Sequence, residues 1–182
     1  MGLHELDAVV IDGRSGSGKT SLADRLASRL RGVGRKPQLL RLEDLYPGWD
    51  GLSTGSRAVP EVLSSGSYRR YDWNREAFAE RVAIEDGTPL IIEGCGAVTA
   101  SNLVAVRDWV TENGTQAPVR GDVHANAIWT VWLDLPLAER RIRALSRDGE
   151  TYAPHWDRWA AQEDAHYADH EPWSLVDEVL RG

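Results

Sequence analysis

Gly13-Arg14-Ser15-Gly16-Ser17-Gly18-Lys19-Thr20 is the stretch on which the reading of this 182-residue chain turns. It satisfies G-x-x-x-x-G-K-[ST] at every fixed position, a pattern that builds an anion cradle. Glycines let the backbone fold tightly, so that successive N–H groups point inward at a phosphate. A helix that follows adds the positive end of its dipole. Gly13 through Thr20, with Ser21 behind them, are therefore the expected phosphate-binding residues. Lys19 would neutralise the β and γ phosphates, and Thr20 would offer its hydroxyl to Mg2+.

The flanks supply the context that such a loop needs. Ala8-Val9-Val10-Ile11 reads as a buried strand. Residues 18–31 read as a helix, with Leu22, Leu26 and Leu30 on one stripe and Gly32 and Gly34 at its end. Lys19 and Lys36 are the only lysines among 21 basic residues, so a chain that uses Arg almost everywhere keeps Lys at the motif position.

Further along, Gln38 to Leu42 reads as a second strand and Leu90-Ile91-Ile92 as a third. Ala127 to Leu133 reads as a fourth, and residues 175–180 as a last. Helices are expected over 75–86, with Asn74 as N-cap and Gly87 as stop, and over 100–112. Two more are expected from Pro136 to about Arg147 and from about His155 to His170. Residues 113–126 carry Gly, Pro, Asn and Asp without a period and read as an exposed loop. Strands alternating with helices imply an α/β fold: a parallel sheet covered on both faces, hence three α/β/α layers in one domain over residues 1–182. Ligands of such sheets bind beyond the carboxyl ends of the strands.

Composition excludes several classes. Cys95 is the single cysteine, so neither an intrachain disulfide nor a cysteine zinc site can form. The formal net charge of −7 disfavours nucleic acid as a partner. No apolar run reaches the roughly 20 residues of a membrane span, and the first residues lack the pattern of a signal peptide. A cytoplasmic protein acting on a small molecule, without membrane or nucleic acid, is the expectation; a homodimer is left open.

Glu43-Asp44-Leu45-Tyr46, at the end of the second strand, resembles the uridine kinase-like P-loop kinases, where a D-x-[FL]-Y motif supplies the catalytic base. The resemblance, taken on Asp44-Leu45-Tyr46, implies that Asp44 is that base; by itself Asp44 could equally cap a turn. In the same families an acid after the third strand completes the Mg2+ site, which implies that role for Glu93. The run from Asp134 to Asp148 looks like their lid segment, here about residues 140–156. Arg140, Arg143 and Arg147 share a helical face, and the resemblance implies phosphate contacts from them, with Arg143 and Arg147 catalytic; a solvated basic face paired with Glu139 and Asp148 is the plainer alternative. Ser67 to Trp73 lies where these kinases place the acceptor, which assigns Tyr46, Arg69, Arg70, Tyr71, Asp72 and Trp73 to substrate binding. Arg69 and Arg70 suggest an acceptor with negative charge. Tyr46, Trp49 and Trp73 would either stack on a planar group or simply pack. The segment lacks the Asp-His-Pro run of uridine kinases, so uridine itself is not implied. The implied fold is a five-stranded sheet of order 2-3-1-4-5. The implied reaction is transfer from Mg-ATP to a hydroxyl of a nucleoside, nucleotide or other small molecule. A P-loop ATPase or a non-catalytic ATP-binding regulator is the alternative.

Overall fold

A computed structural model describes residues 2–87, 89–114 and 128–182. Five strands form the parallel sheet: β1 (Ala8–Gly13), β2 (Gln38–Arg41), β5 (Leu90–Glu93), β6 (Ile128–Asp134) and β7 (Glu178–Arg181), ordered β2-β5-β1-β6-β7. Counting only these strands along the chain, the order is 2-3-1-4-5, as the resemblance implied. β1 is the centre because it is buried at every position. Its alternate residues feed two cores: Ala8 and Val10 join one apolar cluster, Val9 and Ile11 the other.

Helices cover both faces. α1 (Lys19–Gly32) buries Ala23, Leu26, Ala27 and Leu30 against Val9, Ile11 and Ile91. The larger core takes apolar residues of α2 (Leu52–Ser65), α3 (Ala100–Asn113), α4 (Leu137–Tyr152) and α5 (Trp156–His170). Helix α3 starts as its sequence suggests, with the Thr99 hydroxyl accepting from the Asn102 N–H at 3.1 Å. The β7 strand is real but shifted toward the C-terminus, with Val131 opposite Glu178 and Asp134 opposite Arg181.

Two elements differ from the sequence reading. Residues 75–86 are not a helix. β3 (Ser67–Asp72) and β4 (Ala77–Ala83) make an antiparallel hairpin, with Tyr68 opposite Val82 and Asp72 opposite Ala77. The turn is made by Asp72, whose carboxylate accepts the N–H groups of Asn74 and Arg75 at 2.9 and 3.1 Å. Glu76 then takes a left-handed φ of 48° and reverses the chain. Helix α2 was not anticipated at all, because Gly55 and Pro60 within it lower helix propensity. Its buried residues Leu52, Ser56, Val59 and Leu63 nonetheless recur at helical spacing. The loop expected over 113–126 lies outside the described residues from 115 onward; Asn113 closes α3.

Candidate active site

The sheet's carboxyl edge is where β1 hands over to the loop before α1. Gly18 caps α1 at a φ of 96°, and the Ser17 N–H donates to the Arg14 carbonyl at 3.1 Å, which closes the loop on itself. Gly16 has φ 79°, and a Cβ there would run into the Arg140 backbone of α4. Only glycine permits both that conformation and that approach.

Lys19 is 8% exposed, and its Nζ donates to the Arg14 carbonyl at 3.1 Å. Burial opposes its charge, but the surrounding fields of Cys95, Glu93, Glu163 and Asp12 outweigh that cost and raise its pKa. The ammonium is therefore kept charged and aimed at the loop. The Thr20 hydroxyl donates to Oε1 of Glu93 at 3.1 Å; the same oxygen accepts from Arg41 at 3.0 Å. Arg41 also reaches Asp24 at 2.8 Å, so Glu93 is fixed from two sides.

A cavity of about 790 Å3 opens in front of the loop. Ser15, Gly16, Gly18, Lys19, Thr20, Ser21, Glu93, Arg143 and Arg147 line it, together with Tyr46 and Trp73, so much of the anticipated site is brought together. Arg143 is exposed and pairs with Glu139 at 3.3 Å. α4 holds a break at Gly149 (φ 50°, ψ −130°), just beyond Arg147. Trp49, Tyr152 and Trp159 add an aromatic wall. The Trp49 ring stacks on His155 at 4.2 Å and tilts against Trp73 at 4.9 Å.

Other anticipated residues lie elsewhere. Arg14 faces α5, pairing with Asp164 at 2.6 Å and covering the Tyr167 ring at 5.3 Å. Arg140 is buried; it donates to the carbonyls of Leu135 (3.1 Å) and Ser15 (3.2 Å), so it braces the loop rather than facing the cavity. Arg69 is spent on the carbonyls of Phe78 and Ala79 across the hairpin. Arg70 pairs with Asp44 at 3.5 Å and with Glu80 at 3.1 Å. Tyr71 is buried, and Asp72 makes the hairpin turn. None of Arg69, Arg70, Tyr71 and Asp72 lines the main cavity.

Asp44 is the chief displacement. Its carboxylate accepts the Tyr68 hydroxyl at 3.2 Å and pairs with Arg70, and it is not part of the cavity wall. Its neighbour Glu43 is on that wall. Counted back from Tyr46, the acid of D-x-[FL]-Y also falls on residue 43, a signal present in the spacing. Glu43 keeps an exposed edge, yet its carboxyl is held above the usual glutamate range, first by partial desolvation and next by Glu93, with Arg41 opposing. Its backbone carbonyl accepts the Trp73 indole N–H at 3.1 Å, which joins the hairpin to the cavity.

Two buried acids lie behind the loop, and neither carried a sequence signal. Asp12 is fully buried and accepts from the N–H groups of Gly13 (2.6 Å), Gly96 (3.1 Å) and Val98 (2.8 Å) and from the Tyr167 hydroxyl (2.8 Å). Burial still dominates and lifts its pKa to about 6. Glu163 of α5 accepts the Ser15 N–H at 2.7 Å.

No protein-family profile and no curated sequence matches this chain. Solved structures do. A possible uridine kinase from Bacillus stearothermophilus superposes with a TM-score of 0.56 at 20% identity, over 96% of this chain and 88% of that one. A sugar kinase from Janibacter sp. HTCC2649, in an unliganded structure, gives a TM-score of 0.50 at 18% identity, over 97% of this chain and 85% of that one. Sheet order, loop and helix cover define the class: this is the fold of the P-loop kinases. At these identities the likeness is one of fold, and it extends to the possible uridine kinase and the sugar kinase alike.

Proposed function

We propose that this protein is an ATP-dependent phosphotransferase that moves the γ-phosphate of Mg-ATP onto a hydroxyl of an uncharged, ring-bearing small molecule. The observation that carries the reading is the make-up of one cavity: the loop with Lys19 and Thr20, the carboxylate of Glu43, and the aromatic wall of Tyr46, Trp49, Trp73 and Trp159.

The acceptor hydroxyl gives its proton to Glu43 while its oxygen attacks the γ-phosphorus; the bond to the β,γ-bridging oxygen breaks and ADP leaves. A carboxyl whose proton affinity is raised suits that step. Lys19 and the loop N–H groups stabilise the charge that builds on the phosphates, and Arg143 and Arg147 add cations from the wall. The Thr20 hydroxyl and the Glu93 carboxylate are hard oxygen donors side by side, which fits Mg2+. Among the described residues no group of three or more His, Cys, Asp or Glu could hold a metal, so the ion would depend on phosphate oxygens as well. Thr20 and Glu93 would hold the ion, which would supply charge neutralisation at the transferred phosphoryl group.

The acceptor end argues for a neutral ring. Arg69 and Arg70, which suggested an anionic acceptor, are engaged outside the cavity. Cations on the wall belong to the loop helix or to α4, which packs against the loop. Trp73 is tied to Glu43, so the aromatic surface adjoins the proposed base. Aromatic side chains recognise flat, apolar faces. Among the described residues no helix is long and apolar enough to cross a membrane. A single kinase domain over residues 1–182, acting in the cytoplasm on a small molecule and not on nucleic acid, completes the proposal.

The test is a transfer assay with γ-labelled ATP and Mg2+ against nucleosides, ring-bearing vitamins, sugars and nucleoside monophosphates. Labelled product from an uncharged ring compound is expected. Preference for a monophosphate would overturn the acceptor assignment. A calorimetric titration without heat on addition of Mg-ATP would remove the donor.

A further inference from the structure

Ser15, at the crest of the loop, is held through both of its flanking peptide units. Its N–H donates to Oε1 of Glu163 at 2.7 Å, and its carbonyl accepts from Arg140 at 3.2 Å. The two gripping side chains face each other, with Arg140 3.8 Å from Oε2 of Glu163, and Arg14 reaches that oxygen at 3.8 Å as well. Glu163 is 1% exposed and lies in α5, far from the loop in sequence. The thiol of Cys95 donates to its Oε1 at 3.3 Å.

A carboxylate beside an anion cradle needs a reason, because it repels phosphate and is costly to bury unless paired. Both guanidinium groups supply the pairing. What the carboxylate adds is orientation: it takes the Ser15 N–H out of the cradle and fixes the Arg14–Ser15 peptide plane, while Arg140 fixes the Ser15–Gly16 plane, so the N–H groups that follow have one set direction. Arg140 also anchors the first turn of α4, through its bonds to Leu135 and Ser15. Arg143 and Arg147, three and seven residues on, fall on the same helical face, so that anchor sets how they meet the cavity.

We infer that Glu163 is a positioning residue for phosphate binding: with Arg140 it clamps Ser15 through its two flanking peptides and thereby sets both the loop's amides and the rotation of the arginine-bearing helix. This rests on the loop being the site for ATP phosphates.

The experiment compares the full-length protein with its Glu163→Ala and Glu163→Gln variants. Calorimetry measures the affinity of each for Mg-ATP and for Mg-tripolyphosphate, and thermal melting is recorded without ligand. Gln keeps an oxygen for the Ser15 N–H but loses the charge opposite Arg14 and Arg140. Glu163→Ala is expected to weaken both probes by the same factor, at least 10-fold, and Glu163→Gln to recover part of that loss. Equal loss of both probes marks a phosphate defect; loss confined to Mg-ATP would overturn the inference. So would unchanged affinity in Glu163→Ala, or in Glu163→Gln alone if the Ala variant does not fold. A wild-type protein that binds neither probe removes the phosphate-site reading, and the inference with it.

Discussion

Asp12 makes this protein's stability depend on pH in a direction opposite to that of an ordinary paired carboxylate. Burial lifts its pKa from 3.8 to about 6 in the folded chain, although three N–H groups, from Gly13, Gly96 and Val98, and the Tyr167 hydroxyl all donate to it. A folded-state pKa above the unfolded one means that folding takes up a proton in between. The contribution to stability is complete below pH 3.8 and is lost as pH rises through about 6. The two values differ by an amount equivalent to about 3 kcal/mol. The Asp12→Asn variant removes this titration. In it Oδ1 can still accept from Gly13, Gly96 and Tyr167, while the new NH2 group faces the Val98 N–H and forfeits that bond, at about 1–3 kcal/mol independent of pH. The assay is urea unfolding of both proteins at several pH values from 4 to 7.5. Wild-type stability minus variant stability should fall by about 2 kcal/mol across that range. A flat difference would show that the donated hydrogen bonds, not burial, govern this carboxylate. A difference that rises with pH would reverse the argument.

Glu43→Gln should lower kcat for transfer by about 10^2- to 10^4-fold with ATP affinity kept, whereas Asp44→Asn should stay within about 10-fold; steady-state kinetics on both variants decides between the two neighbours. Arg70→Ala should leave the acceptor KM within about 3-fold, since Arg70 meets Asp44 and Glu80 outside the cavity; a large KM rise would place an anionic group of the acceptor there. Gly16→Ala should weaken Mg-ATP binding by at least about 10-fold in calorimetry, because a Cβ at that left-handed position meets the Arg140 backbone. Burial pushes the Cys95 thiol up to about 12, so in the folded protein it should react with iodoacetamide at pH 8 at least about 100-fold more slowly than free cysteine.

Legibility in the sequence followed the range of the interactions. The phosphate loop could be read because strand, turn and helix start are local and each position has one physical demand. The parallel sheet could be read because its strands are short apolar runs buried on both faces. The hairpin at residues 67–83 is hidden in the sequence because Asn74 is itself a good helix cap, whereas it donates its N–H to the Asp72 carboxylate that makes the turn. Helix α2 was hidden by Gly55 and Pro60, and Gly55 is there because a Cβ would strike the Tyr46 ring.

The site shows the same divide at closer quarters. Glu43 and Asp44 are adjacent on a single 3-10 turn, Leu42–Asp44, where successive side chains diverge by about 120°. One therefore faces the cavity when the other faces the hairpin. Which is which depends on where Tyr68 and Arg70 stand, and that depends on residues 67–83 being strands and not helix. The hairpin is what pairs Arg70 with Asp44 and turns Arg69 to the carbonyls of Phe78 and Ala79, all outside the main cavity. The spacing to Tyr46 was the single local clue that pointed to Glu43. For Glu163 there was none, because its partner Ser15 lies at the other end of the chain and a lone Glu on a helix has no pattern to distinguish it from a solvated one.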